Sequence, residues 1–183
     1  MPVDELKAVA ISGSPSPHSK SRQLLAHVSD CLVSHGVATR LIDLAQLPAD
    51  GLLGRAQSED IAAALRLVGE ANIVVASTPV YRATYSGLLK VFFDLMPPSA
   101  LAGKVGLPIA TGGSAAHQLV LDLGLRPLFA SLGAVTVPTA TYAFDGQFSA
   151  AGPDPLVLLR LDRAAAEART LARAANRALT PVL

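Results

Sequence analysis

Short β-rich runs alternate with longer amphipathic segments along this chain, and no other feature restricts its fold as strongly. The predicted strands are Lys7–Ser12, Val37–Asp43, Ala71–Ser77, Lys104–Thr111 and Ala134–Thr139. The predicted helices are Ser19–His35, a segment beginning at Ser58, Ser86–Leu95, His117–Leu132 and Leu156–Leu179. Strands joined by helical crossovers pair in parallel through right-handed connections. The pattern therefore predicts one open α/β sheet of five strands covered by helices.

Individual runs indicate where their strands lie in that sheet. Strand two alternates in character, which predicts an edge, whereas strand three is apolar on both faces and predicts a central position. Ser58, which precedes two acidic residues, is a predicted helix N-cap. Pro108 conflicts with a central strand four because proline has no N–H to donate, so a bulge would be needed there.

Composition places residues 1–183 in one domain with a large core. The chain is 51% hydrophobic and 16% charged, which argues against disorder. The formal charge of +1 gives no electrostatic reason to expect nucleic-acid binding. An aromatic content of 4% without tryptophan also argues against a platform for stacking bases. Apolar runs fall far short of the roughly 20 residues that span a bilayer, and no secretory leader is recognisable. We expect a cytoplasmic protein that binds neither nucleic acid nor membrane, with Cys31 as a small buried hydrophobe.

The first strand–helix junction, GSPSPHSKSR at residues 13–22, is the most informative loop. Open parallel sheets bind ligands at the carboxyl ends of their strands, and the following helix offers free N–H groups. Serine hydroxyls can donate to a phosphate, Gly13 allows close backbone approach, and Lys20 and Arg22 add charge. Neither the P-loop nor the dinucleotide-binding glycine pattern fits the spacing. The residues favour a phosphate site, with a capped helix after a serine-rich turn as the alternative.

Two further loops follow predicted strands three and four. In STPVYRATYSG, residues 77–87, Pro79 would fix a turn, and Val80 and Tyr81 offer a flat apolar contact. In ATGGSAAH, residues 110–117, two adjacent glycines let the backbone pass close to a planar ligand. Each loop alone fits an ordinary connection, and His117 is better explained as a surface histidine than as a catalyst. Because parallel strands end at one edge of the sheet, the three loops together predict one cleft.

The blocks GSPSPHSKSRQLL, TPVYRATYSGLLKVFFDLMP and GKVGLPIATGGSAAHQLVLDLGLRPLF resemble the flavodoxin-like NAD(P)H-dependent FMN reductases, over roughly residues 7–135. The resemblance is greatest to the branch that supplies reduced flavin to alkanesulfonate monooxygenases. It implies an α/β flavodoxin-like three-layer sandwich with a five-stranded parallel sheet in the order 2-1-3-4-5. It also implies FMN as cofactor, NADPH or NADH as hydride donor, a homodimer or homotetramer, and a flavin-dependent monooxygenase as partner.

Carried onto this sequence, the resemblance assigns separate residues to the two ends of FMN. The residues implied to hold the phosphate are Ser14, Ser19, Ser21 and Arg22. Those implied to border the ring are Pro79, Val80 and Tyr81, with Thr111, Gly112 and Gly113 at its polar edge. Arg82 is implied more weakly as a contact for the nicotinamide dinucleotide. Since hydride would pass from nicotinamide to flavin, no catalytic side chain and no metal ligand is assigned.

The chain departs from this branch in helix four. Members carry an aromatic or histidine insertion there, which produces a π-bulge at the tetramer interface, whereas this chain has Leu123 and Gly124 in VLDLGLRP. Absence of the π-bulge would favour a flavin that is retained as a prosthetic group. The segment AFDGQFSAAGPDP after Tyr142 is also shorter than in those relatives.

Three alternative functions remain open from the residues. One is a reductase that retains FMN and passes electrons to quinones, azo dyes or metal oxyanions. Another is a flavodoxin-like electron carrier, which the net charge of +1 disfavours because such carriers are usually acidic. The last is a non-enzymatic flavodoxin-like binding domain, since a fold does not fix a function.

Overall fold

The structure, a computed structural model, describes residues 5–179 of the chain. The strands are β1 Lys7–Ser12, β2 Ala38–Asp43, β3 Ile73–Tyr81, β4 Thr84–Tyr85, β5 Val105–Gly112, β6 Val135–Thr136, β7 Thr141–Phe144, β8 Phe148–Ser149 and β9 Gly152–Pro153. The helices are α1 Lys20–Ser34, α2 Ala49–Leu52, α3 Glu59–Glu70, α4 Gly87–Asp94, α5 Arg126–Ser131 and α6 Pro155–Leu179. Within this part of the chain, no helix is long and apolar enough to cross a membrane.

The main sheet has seven strands in place of the five predicted. Its path is β2-β1-β3-β5-β6, β7 also pairs with β5, and these pairs are all parallel; β4 adds an antiparallel hairpin to β3. β6 and β7 share the fifth position, so the predicted order 2-1-3-4-5 is confirmed, with β2 at the edge. β8 and β9 form a separate two-stranded sheet.

The continuous fifth strand predicted over Ala134–Thr139 is wrong because the chain leaves β5 after β6. Pro138 has no N–H for a ladder, and the N–H and hydroxyl of Thr139 donate to Glu167 of α6 at 2.8 and 2.7 Å. Thr141 then returns to pair with Ile109 of β5. At the interruption, Thr139 therefore donates to the Glu167 carboxylate and not to a neighbouring strand.

That interruption also explains Pro108, for which a bulge was expected. The register of β5 on β3 runs without a break through the Ala76–Pro108 pair, so the expected bulge is absent. The backbone N–H and C=O groups of successive residues in β5 point alternately to the two neighbouring strands. The Val105 N–H points towards β3 and donates to the Asn72 carbonyl, and the Gly106 carbonyl points towards β6 and accepts from the Val137 N–H. Pro108 has the same orientation as Gly106, so its missing N–H faces the gap between β6 and β7.

Helices cover both faces of the sheet, as a three-layer sandwich requires. One core contains Val9 and Ile11 of β1 with residues of α3, α4 and α5, and the other contains Ala8 and Ala10 with residues of α1 and α6. β1 thus alternates its side chains between two buried faces, as expected for a strand inside a covered sheet. Cys31 lies at the margin of the second core and is only partly buried, so the prediction of a buried cysteine is too strong.

Helix four, predicted as one helix over His117–Leu132, consists of three pieces. A 3-10 turn at Ala115–Leu119 is followed by a π-helical turn at Leu121–Leu125 and then by α5. The N–H of Arg126 donates to the carbonyl of Leu121, five residues earlier, and Pro127 has no N–H to restore the α-helical ladder. The π-turn is therefore present without the aromatic or histidine insertion.

The predicted N-cap Ser58, at the start of α3, is confirmed by the hydrogen bond from the Ile61 N–H to its hydroxyl, at 3.4 Å.

Candidate functional site

The loop between β1 and α1, residues 13–19, is called here the serine loop, and buried hydrogen bonds fix it to the centre of the fold. The N–H of Gly13 donates to the carbonyl of Ser77 at 2.8 Å. The hydroxyl of Ser86 donates to the Gly13 carbonyl at 2.5 Å, and that of Ser77 donates to the Ser21 carbonyl at 2.7 Å. The loop and the start of α1 are thereby tied to β3 and to the start of α4.

Gly13 packs closely against α4 and β3. A Cβ at this position would lie 3.0 Å from Leu89 Cβ and 3.2 Å from the Ser77 carbonyl oxygen. These neighbours would have to shift for a side chain at Gly13, so glycine lets the loop pass close to α4 and β3. The close approach of a ligand to this backbone stays a prediction.

The predicted phosphate residues lie together, but they are not equally accessible. Ser19 is half-buried as the N-cap of α1, and its hydroxyl accepts from the Arg22 N–H at 3.2 Å. The Ser14 hydroxyl is buried and accepts from the Ser16 N–H at 3.2 Å, and the Ser21 hydroxyl is buried 3.1 Å from that of Ser19. Ser14 and Ser21 thus shape the loop from beneath, whereas Ser19 and Arg22 reach its surface.

Both cations at the start of α1 are paired with carboxylates from other loops. The Arg22 guanidinium lies 2.7 Å from the Asp43 carboxylate, at the end of β2. The Lys20 ammonium lies 2.9 Å from Asp145, just after β7, and 5.1 Å from the centre of the Phe148 ring. The positive charge beside the serine loop is therefore balanced by two acids that the sequence analysis did not identify.

The second predicted loop is a β-hairpin, residues 79–85, called here the hairpin. Pro79 does not fix a turn as predicted: it continues β3 and pairs with Thr111 of β5. The turn comes later, at Arg82 and Ala83, whose φ angles of 50° and 69° are both positive. Type I′ turns need positive φ at both central positions and usually take asparagine or glycine there. Tyr81, at the end of β3, is 49% exposed beside this turn.

The third loop, residues 111–114, is called here the glycine loop, and Tyr142 of β7 holds it. The Tyr142 hydroxyl donates to the Ser114 carbonyl at 2.5 Å. A Cβ at Gly112 would lie 2.6 Å from this hydroxyl and 3.3 Å from Val80 Cβ, so only glycine fits between the tyrosine and the hairpin. Burial raises the pKa of Tyr142, and the Asp145 carboxylate raises it further, so the phenol remains a donor at neutral pH.

Beyond the hairpin, the π-turn closes one side of the cleft. A Cβ at Gly124 would lie 3.2 Å from both Thr84 Oγ1 and Tyr85 Cδ1, so the π-turn packs directly against the hairpin. A cavity of about 360 Å³ lies between them, lined by Ala83, Thr84, Ala116, His117, Leu119, Val120, Leu123 and Gly124. His117 is exposed on its rim, as expected of a surface histidine.

These three loops meet at one edge of the sheet, as predicted. Ser12 of β1 pairs with Ser77 of β3, and Pro79 of β3 pairs with Thr111 of β5, so the serine loop, the hairpin and the glycine loop follow neighbouring strand ends. Hydroxyl and N–H donors at the start of a 15-residue helix suit a phosphate, and the exposed faces of the hairpin and glycine loop suit a planar ring. This donor set fits FMN.

In residues 5–179, no cluster of three or more histidine, cysteine or acidic side chains is arranged to hold a metal ion.

Sequence reasoning missed the residues that hold the loops in place. Ser77, Thr78 and Ser86 are buried hydroxyl residues that bond the loop backbones, and the Ser86 N–H donates to Thr78 Oγ1 at 3.0 Å. Their signal was the change from aliphatic to hydroxyl residues at the end of β3. Asp43 and Asp145 carried no local signal because their partners are distant in sequence.

Comparison with known proteins identifies the fold and the family. An archaeal flavodoxin, 12% identical, matches 91% of this chain with a TM-score of 0.65 and establishes a flavodoxin-like fold. Residues 6–149 match the family model described as NADPH-dependent FMN reductase. The chain belongs to this family.

Individual relatives support the assignment. An "FMN reductase (NADPH)" of Pseudomonas putida is 40% identical over 154 residues, which cover 83% of this chain and 78% of the relative. The "NADH-dependent FMN reductase SfnF" of Pseudomonas fluorescens is 40% identical over 149 residues, 79% of each chain. A crystal structure described as apo "NADH:FMN oxidoreductase (EMOB)" is 38% identical, covers 90% of this chain and 89% of its own, and has a TM-score of 0.83.

Proposed function

We propose that this protein oxidises NADPH or NADH and reduces FMN bound across the three loops. The observation that supports this most is the meeting of the serine loop, the hairpin and the glycine loop at one sheet edge, in a chain of this reductase family. FMN supplies the hydride acceptor when it is bound. The chain's own contribution is to hold and orient two ligands, so no acid–base side chain is needed.

Each predicted residue has a place in this proposal. Ser19 and Arg22, with the free N–H groups of the first turn of α1, face the phosphate, while buried Ser14 and Ser21 hold the loop. The residues assigned to the ring are Pro79, Val80, Tyr81, Thr111, Gly112 and Gly113. The exposed Arg82 is available to the dinucleotide.

The proposal extends to assembly and cellular role. Leu119, at the end of the 3-10 turn, and Leu123, in the π-turn, are 56% and 76% exposed. Leu156 and Leu159 at the start of α6 are 69% and 63% exposed. Exposed leucines of this kind favour contact with further copies, as a homodimer or homotetramer. We propose a cytoplasmic one-domain enzyme over residues 1–183 that passes reduced FMN to a flavin-dependent monooxygenase such as an alkanesulfonate monooxygenase. A missing π-bulge would have favoured a retained flavin, and the π-turn at Leu121–Leu125 removes that argument.

The test is oxidation of NADPH and of NADH, followed by absorbance at the nicotinamide band near 340 nm, with and without added FMN. We expect activity that rises with added FMN. Activity of yellow protein without added FMN would favour the FMN-retaining reductase, and no oxidation under either condition would leave a binding domain.

A matched pair of variants tests the site. Ser21→Ala combined with Arg22→Ala is expected to weaken FMN binding at least tenfold, because a charged donor and a loop support are both lost. Glu70→Gln, at the opposite end of the sheet, serves as the control. Unchanged FMN affinity in the double variant would place the phosphate elsewhere.

A further inference from the structure

The charges around the serine loop cancel within the described structure. Lys20 and Arg22 are the cations of segment 13–22 apart from His18, and each is held by a carboxylate from another part of the chain. A phosphate arriving here meets neutral hydroxyl and N–H donors, together with cations whose charge is already shared.

The two ion pairs differ in burial, and therefore in how firmly they hold. The Asp43 side chain is 10% exposed and that of Arg22 is 28% exposed, so water screens this pair weakly. Asp43 is further fixed by the Ala45 N–H, which donates to its other carboxylate oxygen at 3.4 Å. The side chains of Lys20 and Asp145 are 38% and 60% exposed, and such pairs are largely screened.

Both acids lie where a phosphorylated ligand would be affected by them. Asp43 ends β2, next to β1 in the sheet, and its carboxylate contacts the residue at the third helical position of α1. Asp145 Oδ2 would lie 3.8 Å from a Cβ at Gly113, so this acid is close to the glycine loop as well as to Lys20. Neither acid belongs to either hydrophobic core, and the Asp43 side chain contributes to the fold by accepting from the Ala45 N–H.

We propose that Asp43, and to a smaller extent Asp145, limit how tightly this protein holds FMN by keeping Arg22 and Lys20 in ion pairs. The inference rests on the proposed function. It makes flavin release a property of these carboxylates: a net-neutral loop binds the phosphate with modest affinity and lets reduced FMN leave. The same residues then separate a protein that exchanges its flavin from one that retains it.

The experiment measures FMN affinity, by quenching of flavin fluorescence, for the whole chain and three variants. Asp43→Asn keeps the shape of the side chain and is expected to tighten FMN binding about three- to tenfold, because a negative charge near a dianion is removed. Asp145→Asn is expected to tighten it by a smaller factor, about twofold, because that pair is exposed. Glu70→Gln changes the net charge equally, breaks the Lys7–Glu70 pair at the far end of the sheet, and is expected to change nothing.

Riboflavin, which has the same ring and no phosphate, is the second control. Its affinity should be the same in the natural protein, Asp43→Asn and Glu70→Gln. The affinity of Asp43→Asn for FMN should also fall more steeply with salt than that of the natural protein, because an unpaired Arg22 is screened by ions.

The outcomes separate this inference from the proposed function. If the natural protein does not bind FMN, the proposed function fails. If it binds FMN but Asp43→Asn binds equally or more weakly, Asp43 orients Arg22 for the phosphate and the inference is wrong. If Asp43→Asn does not fold, as judged by circular dichroism, the outcome rests on Asp145→Asn, where unchanged FMN affinity overturns the inference.

Discussion

In the serine loop no residue from 13 to 22 has a positive φ angle, whereas in the hairpin two successive non-glycine residues, Arg82 and Ala83, both do. The serine loop is fixed by the buried hydroxyls of Ser77 and Ser86, and its shape requires no left-handed backbone. The hairpin projects into solvent and keeps a turn that its residues disfavour. The comparison teaches that one end of a cleft can be fixed by buried hydrogen bonds, while at the other end close packing maintains a strained turn.

The glycine loop allows the largest test of that close packing. Gly112→Ala would place a Cβ 2.6 Å from the Tyr142 hydroxyl, so the tyrosine or the loop must move. We expect the free energy of unfolding of the flavin-free protein to fall by about 1–3 kcal/mol, as for other overpacked sites. Urea denaturation measures it.

Gly113→Ala is the matched control, because the nearest atom to its Cβ would be Asp145 Oδ2 at 3.8 Å. Stability should stay the same or rise by up to about 1 kcal/mol, since alanine restricts the unfolded chain. Equal losses in both variants would show that the packing between Tyr142 and the hairpin is not tight.

Features with a local sequence signal could be predicted, whereas features that depend on contacts between distant segments could not. The strand and helix pattern and the edge position of β2 follow from local apolar patterns, which the sequence displays directly. The meeting of the three loops follows from the parallel strands that this pattern predicts, whereas the sheet order was implied by the family resemblance. The broken fifth strand depends on Glu167 reaching Thr139 from α6, and the Arg22–Asp43 pair depends on two loops meeting, so neither has a local signal. The hairpin turn was missed because Arg82 and Ala83 are unusual residues for positive φ, and tertiary contacts overrode their preference.

Strain in the hairpin is tested by Ala83→Gly. A non-glycine residue in the left-handed region costs about 1–2 kcal/mol, and glycine costs about 0.5–1 kcal/mol through the entropy of the unfolded chain. The difference predicts a gain in stability of about 0.5–1 kcal/mol, measured by thermal or urea denaturation.

Ala166→Gly, on the exposed side of α6, is the opposite case for the same substitution. Its backbone is helical, so glycine should cost about 1 kcal/mol there. A loss of stability in Ala83→Gly as well would mean that contacts of the alanine methyl group, and not strain, dominate at the hairpin.

The smallest expected effect concerns Glu167, which supports the broken fifth strand next to the glycine loop. Burial acts to raise its pKa, but hydrogen bonds from Thr139 and the nearby Arg163 outweigh burial, so the pKa of Glu167 lies below its usual value. A lowered folded-state pKa stabilises the protein above the unfolded-state pKa near 4.3, and that contribution is lost as pH falls through the folded-state pKa. Glu167→Gln can still accept from the Thr139 N–H, so we expect a loss of only about 0.5 kcal/mol at pH 7. Urea denaturation of both proteins between pH 3 and 7 should show the difference shrinking below about pH 4. A difference that is constant with pH would mean that Glu167 acts through its shape alone, and the support of β7 would then owe nothing to its charge.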